Sequence, residues 1–420
     1  MRIALVNSVI LNGGDAAIVY GTCDAIRSAC PGAAVTVYAR DHAAASPHYP
    51  DLSLEPMLQD HWPRQRHASA LLRRSYPTRS RLRLTTPGER SFVDDLARYD
   101  ALVYCGGGYV NDLYSTDVLF RLFSESLQTG RPHMAYAHSV GPFRRDRTAR
   151  RAAGLLSRFD AVTTRDRHSL ELLRGLDAAP SLLEWTADAA FAMRVHDEAE
   201  LSAGERQALE TIREHRHRGQ GAPLLLLSAR PWRFPGTTDA ERLAARYRVE
   251  LVRFLRLVLE TTPWRLCFLS TCQGREGYGF DDAAFARGLA AEVPTAFSER
   301  LLVVDAPFHP RSYPRVVALC ADAVVSMRMH FAIFAILAGV PVIPIAYEQK
   351  TRELASQTGL EHLCFDVEDF VAEDLVGALA RLSTEPDATG HRLREARNAL
   401  EVRSRRNAEI LCGLAGAAGA

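Results

Sequence analysis

The chain has almost no lysine. Lys350 is the sole ammonium side chain, and the other 50 of its 51 basic residues are arginine. A bias toward arginine, of the kind a G+C-rich genome imposes, has displaced lysine everywhere else. Either Lys350 is a chance survivor on a solvated face, or it marks a place where a compact, tunable point charge is needed and a planar fork will not serve. An excess of either charge is also lacking. The formal net charge is +1 and the pI is near 7.7. That balance removes the global reason to expect a nucleic-acid partner and leaves room only for a local basic patch. No long apolar run is present. The most apolar stretch, Phe331 to Tyr347, is interrupted by Gly339, Pro341 and Pro344. It is short for a bilayer span and reads as a buried helix followed by a strand. Met1 to Val9 lacks a charged leader and a cleavage site, so it reads as a first strand. The eight cysteines (Cys23, Cys30, Cys105, Cys267, Cys272, Cys320, Cys364 and Cys412) contain no C-x-x-C pair. The expectation is reduced, mostly buried thiols in a cytoplasmic protein, and no zinc site.

What is present is ordinary for a globular chain. Its 420 residues are 47% apolar and 24% charged, which suggests two or three domains and excludes fibrous and disordered classes. Short apolar runs alternate with helix-period segments. Strands are predicted at Ile3–Asn7, Ala34–Tyr38, Ala101–Cys105, His133–Ala137 and Ala161–Thr164. A second set follows at Leu224–Ser228, Arg265–Ser270, Leu301–Asp305, Ala323–Ser326 and Val342–Ile345. Near-continuous hydrophobic strands alternating with helices imply an α/β protein with two Rossmann-like, doubly wound parallel sheets. The pattern pauses between about Arg194 and Pro223. The expected organisation is an N-terminal domain 1–195, a linker 196–222, a C-terminal domain 223–390 and a charged amphipathic segment 391–420 that could pack back on the first domain. Trp62 to Arg90 breaks the pattern, with eight arginines and one acid, Glu89. It is either a solvated insertion or a contact with an anionic acceptor or the inner face of a membrane.

Six constellations follow strand ends. Asn12-Gly13-Gly14-Asp15 opens a helix, and it offers either a capped turn or amides and a carboxylate for a sugar hydroxyl. Cys105-Gly106-Gly107-Gly108-Tyr109 brings three glycines to a carboxyl strand end, where open α/β sheets bind ligands, and Asn111 follows within reach. His138-Ser139-Val140-Gly141-Pro142 ends the next strand. Arg165-Asp166 is either a cleft pair or an ion pair and helix cap. Ser228-Ala229-Arg230 sends an arginine out of a buried strand, as suits an oxyanion. The fullest is Ser326-Met327-Arg328-Met329-His330 before an apolar helix, with Tyr347-Glu348-Gln349-Lys350 after the next strand. Arg230, Arg328 and Lys350 are expected to converge on a multiply charged anion, with His330 supplying a proton.

In these motifs the chain resembles the polysaccharide pyruvyl transferase family. The likeness rests on Asn12-x-Gly14-Asp15, Gly106-Gly107-Gly108, Ser139-Val140-Gly141-Pro142, Arg165-Asp166, Arg328-x-His330 and Pro341 through Lys350. His138, where members commonly carry Gln, and the arginine-rich insertion depart from the pattern. The resemblance implies a two-domain fold like that of GT-B glycosyltransferases. It also implies phosphoenolpyruvate as donor and a pyruvate ketal bridging two sugar hydroxyls as product, with phosphate released. Donor contacts are then expected from Arg230, Ser326, Arg328, Met329, His330 and Tyr347, with Lys350 added on charge and position. Acceptor contacts are expected from Asn12, Gly14, Asp15, Gly107, Gly108, Asn111, His138, Ser139 and Arg165. The scheme requires neither metal nor cofactor. Its rivals are a nucleotide-sugar glycosyltransferase of the same architecture, for which Glu348 is the candidate ribose-binding acid, and a non-catalytic carbohydrate- or anion-binding protein.

Overall fold

The computed structural model describes residues 1–58, 87–113, 116–275, 279–384 and 386–418. The arginine-rich segment expected at 62–90 therefore lies outside the described residues as far as residue 86. Its last four residues open the helix Pro87–Leu96. The chain divides into two units. One comprises Met1–Leu11, Ile18–Met193 and Glu401–Ala420, and the other Asn12–Ala17 with Arg194–Leu400.

The first unit is built on a parallel sheet of β1 (Arg2–Ser8), β2 (Ala34–Ala39), β3 (Leu54–Pro56), β4 (Ala101–Tyr104), β5 (Gly107–Val110), β6 (His133–Val140), β7 (Ala161–Thr164) and β8 (Leu182–Trp185). Their order is β3-β2-β1-β4-β6-β7-β8, with β5 paired to β6. Every residue of β4, β6 and β7 is buried, as expected of strands covered on both faces by crossover helices. Tyr104, Phe123 and Phe159 pack edge-on or tilted beneath them, with centroids 4.7 to 5.1 Å apart.

The second unit contains β9 (Leu224–Ser228), β10 (Arg265–Leu269), β11 (Leu301–Val304), β12 (Ala323–Ser326), β13 (Val342–Ala346) and β14 (Phe365–Asp366). The order β11-β10-β9-β12-β13-β14 is the 3-2-1-4-5-6 winding of a Rossmann sheet. In such a sheet the winding reverses between the first and fourth strands, and the crevice opens at their carboxyl ends. Here those strands are β9 and β12, with Ser228 paired to Ser326. The segment 196–222 holds the helix Ala203–His217, whose Ser202 and Glu205 form a reciprocal N-terminal cap, and it belongs to this second unit.

The last helix, Pro386–Ala418, runs from the second unit into the first. Its Asn407 Oδ1 accepts hydrogen bonds from the hydroxyls of Thr163 (2.5 Å) and Thr186 (2.8 Å). One expectation is corrected here. Cys30 and Cys412 are not free thiols but form a disulfide in the first unit, with Cα atoms 6.3 Å apart. The two are 382 residues apart in sequence, a pairing that spacing cannot reveal. Of the other cysteines, five are buried and Cys364 is half-buried. Among the described residues no helix is long and apolar enough to cross a membrane.

Candidate functional site

The carboxyl edge of the second sheet gathers charge at its topological switch. Arg230 and Arg328 each lie two residues beyond the paired Ser228 and Ser326, so they leave the sheet side by side. The N–H of Met327 donates to the Ser228 carbonyl at 2.8 Å and extends the pairing one step. Tyr247, from the helix Ala240–Thr261, ties the two ends together. Its hydroxyl donates to the Arg230 carbonyl at 3.0 Å and to Met327 Sδ at 2.8 Å.

Arg230 is 7% exposed, and its guanidinium is walled by aromatic rings. Its Cζ lies 4.9 Å from the centroid of Tyr347, 5.2 Å from Trp232 and 5.3 Å from Phe280. Nη1 donates to the Tyr347 hydroxyl at 3.1 Å, and Nε is buried without a partner. Among the described residues no carboxylate pairs with it. Cation–π contact offsets part of the lost hydration, but a buried cation without a counter-charge remains costly.

The other two expected cations have partners. Arg328 Nε and Nη2 donate to the two oxygens of Asp282 at 2.7 and 2.8 Å, a bidentate pair in which both side chains are buried. Lys350 Nζ lies 2.6 Å from Glu348 Oε2, and 5.5 Å from the centre of the Tyr347 ring. The three cations thus share one sheet edge, but only Arg230 presents uncompensated charge.

His330 stands in the first turn of the helix Met329–Ala338, whose N-cap is Arg328. The backbone there is held by Ser326, whose hydroxyl donates to the Arg328 carbonyl at 2.7 Å. The imidazole packs on Gly14, in the short segment Asn12–Ala17 that belongs to this unit. A Cβ on Gly14 would come within 2.6 Å of His330 Nδ1, so only glycine admits the ring there. Asn12 orders the turn: its Oδ1 accepts from the Gly14 N–H at 2.9 Å, and its Nδ2 donates to Asp15 at 3.0 Å. Two motifs some 300 residues apart in sequence meet at this point.

At the carboxyl edge of the first sheet the expected acceptor residues are mostly engaged with one another. Arg165 is 4% exposed; Nη1 donates to Asp188 at 2.6 Å and Nε to the Ser139 hydroxyl at 2.7 Å. Ser139 in turn donates to Asp166, which caps the helix Arg167–Gly175 through the Ser169 N–H. His138 is 1% exposed, with Nε2 3.3 Å from the Tyr104 carbonyl, and burial lowers its pKa to about 4. Asn111 bridges the Gly108 carbonyl and the Leu113 N–H. Gly107 has φ +142°, and Gly106 leaves no room for a Cβ, which would meet the Tyr136 carbonyl at 2.7 Å.

A model of polysaccharide pyruvyl transferases matches residues 12–349. The chain belongs to that family. The amylovoran biosynthesis protein AmsJ of Erwinia amylovora is 26% identical over 298 residues, which are 68% of this chain. The chain spans 66% of that protein's length. Solved structures share the two-sheet architecture at 11 to 12% identity. HepE of Anabaena in complex with UDP has a TM-score of 0.54 over 98% of this chain and 97% of its own. UDP-GlcNAc 2-epimerase from Neisseria meningitidis, bound to UDP-GlcNAc, has 0.57 over 98% and 100%. The MnaA–UDP structure from S. aureus has 0.60 over 96% and 94%.

Within this pyruvyl transferase family member, the second unit unites Arg230, Ser326, Arg328, Met329, His330, Tyr347 and Lys350 with Asn12, Gly14 and Asp15. Gly107, Gly108, Asn111, His138, Ser139 and Arg165 belong to the first unit. Sequence reasoning missed Asp282, Trp232 and Phe280. Asp282 carried a signal: it follows Asp281, which alone caps the helix Asp282–Ala290 by accepting from the Ala284 N–H, leaving the second carboxylate surplus. Among the described residues no cluster of His, Cys, Asp and Glu is arranged to hold a metal ion.

Proposed function

We propose that this pyruvyl transferase transfers the enolpyruvyl group of phosphoenolpyruvate to two hydroxyls of a sugar acceptor, forming a ketal and releasing phosphate. One observation carries the reading. A buried guanidinium without a counter-charge, Arg230, stands beside an Arg-x-His turn at the switch point of a Rossmann sheet. A small ligand with carboxylate and phosphate oxygens supplies the missing charge.

His330 is the general acid. It protonates the methylene carbon, the enol π electrons form that C–H bond, and C2 becomes an oxocarbenium-like centre. An acceptor hydroxyl adds to C2 and loses its proton. The C2–O bond to phosphate then breaks, and the second hydroxyl closes the ketal. Of the two hydroxyl protons, one balances the proton given to the methylene and one leaves with hydrogen phosphate. Histidine is the side chain most often used as a general acid in such proton transfers. Arg230 stabilises charge on the departing phosphate.

A nucleotide-sugar reading would draw on the UDP bound by structural neighbours, but Glu348, its expected ribose acid, is committed to Lys350. The test compares stabilisation of the full chain by phosphoenolpyruvate and by UDP-glucose. It then measures phosphate release with methyl glycosides of glucose, galactose and mannose. Stabilisation by phosphoenolpyruvate at 100 times its Kd is worth about 2.7 kcal/mol. A response to UDP-glucose alone, with no phosphate release, would replace the proposal with the glycosyltransferase.

A further inference from the structure

Arg328 belongs to the Arg-x-His turn expected at the donor anion, yet one edge of its guanidinium is already engaged inside the protein. Nε and Nη2, one whole edge of the fork, meet both oxygens of Asp282, and the pair is buried, with side chains 7% and 1% exposed. Such a pair is geometrically stiff, because two parallel hydrogen bonds fix both distance and plane. Its two ends lie on different elements, Asp282 on the first residue of the helix Asp282–Ala290 and Arg328 at the N-cap of the helix that carries His330.

The loop Ser270–Gln273, after β10, joins this pair to the other side of the imidazole. The Asp282 N–H donates to the Cys272 carbonyl at 2.9 Å, and the Gly13 N–H donates to the Thr271 carbonyl at 3.0 Å. The loop is itself pinned. Ser270 Oγ donates to the Cys272 carbonyl and accepts from the Cys272 N–H, and the Tyr313 hydroxyl donates to the Ser270 carbonyl at 2.6 Å. A closed circuit results. Arg328 is held by Asp282, Asp282 by Cys272, Gly13 by Thr271, and the next residue, Gly14, bears on the His330 ring.

We infer that Asp282 is a positioning residue for the reaction proposed above: by clamping one edge of Arg328 it fixes the turn that presents His330. The inference rests on the pyruvyl-transfer reading for its consequence in turnover, and on the clamp itself for its structural content.

The experiment uses the full chain, phosphoenolpyruvate and the best of the methyl glycosides, with variants Asp282→Asn, Arg328→Gln and the double variant. Each single change should lower kcat roughly 100-fold, the scale of a misplaced catalytic group, with the donor KM of Asp282→Asn within about threefold of wild type. The double variant should be no slower than the worse single one, since both changes release the same clamp. Asp282→Glu, which keeps the charge on a longer arm, should remain folded and still lose turnover; it serves if Asp282→Asn fails to fold. Wild-type turnover in the Asp282 variants overturns the inference. So does a rise in the donor KM of Asp282→Asn as large as that of an Arg230 variant, or losses that multiply in the double variant. If the wild type transfers no pyruvyl group, the functional reading fails, and the clamp is judged by arginine side-chain NMR. The Arg328 Nε–H should exchange slowly in wild type and at least about tenfold faster in Asp282→Asn. An unprotected Arg328 in wild type overturns the clamp itself.

Discussion

A guanidinium that is 7% exposed and faces three aromatic rings has exchanged most of its hydration for weak quadrupole contacts. Without a ligand it is a liability, and with an anion it is the anchor. Two opposite effects are therefore expected of Arg230→Met. The unliganded chain should be no less stable than wild type, because an apolar side chain of similar volume replaces an uncompensated buried charge. Affinity for phosphoenolpyruvate should fall at least about 30-fold, equivalent to ~2 kcal/mol, the low end for truncating a buried charge contact. Thermal unfolding with and without the donor measures both. A variant that loses stability but keeps donor affinity would make Arg230 a packing residue. His330 behaves differently. His330→Gln retains a polar group of similar reach but no titratable proton, so kcat should fall roughly 100- to 10,000-fold while donor affinity stays near wild type. Full turnover would assign the proton to another group. Arg230, Arg328, His330 and Lys350 were all legible in sequence as polar residues at the ends of apolar strands. Their partners were not. Asp282 meets Arg328 across a sequence separation of 46, and local patterning carries no information at that range.

Among the elements, strands buried on both faces were the most readable. Ala161–Thr164, Leu224–Ser228 and Ala323–Ser326 match their apolar runs residue for residue. Four others escaped the pattern: β3 and β14 are only three and two residues long, β8 is half-buried throughout, and β5 begins with two glycines that read as a turn. Edge strands and glycine-rich strands lack the hydrophobic signal because they bury less side chain. The helix that begins at Gly13 raises a different question, since its first turn is shaped by a contact with a distant element. A methyl group at Gly14 would sit 2.6 Å from Nδ1 and 2.8 Å from Cβ and Cγ of His330, too close for the ring to escape by rotating its far end. Gly14→Ala should displace the imidazole, lowering kcat at least about tenfold and leaving the fold intact, with Tm within ~2 °C of wild type. Steady-state kinetics and a melting curve decide it. Unchanged turnover would show that the ring moves aside without consequence.

For the whole molecule, each of the two units buries histidine, His133 and His138 in the first and His215 in the second, with pKa values lowered by burial, and this sets an acid limit on stability. In the first unit His138 is held at a pKa of about 4, by burial above all. In the second, burial and the nearby Arg265 charge hold His215 at about 4 as well, with Nε2 3.1 Å from the Leu266 carbonyl. An unfolded histidine titrates near 6.5. Between these values the unfolded chain binds more protons than the folded one, so stability rises with pH through this window. It is complete above about pH 7 and drains away as the pH falls toward 4. Carboxylates with lowered pKa values, such as Glu205, accepting from His309 and Ser202 backbone amides, and Glu200, at about 2 through its Arg194 pair, lose their contribution at lower pH than the histidines do. The two classes of group therefore separate along the pH axis. Urea unfolding should show a midpoint that falls between pH 7 and 4.5, while His138→Gln flattens that slope for the first unit and His215→Gln for the second. Hydrogen exchange read by mass spectrometry assigns each slope to its own unit. Slopes that survive both substitutions would place the acid sensitivity on the remaining histidines with lowered pKa values, His133 and His196, or on the carboxylates.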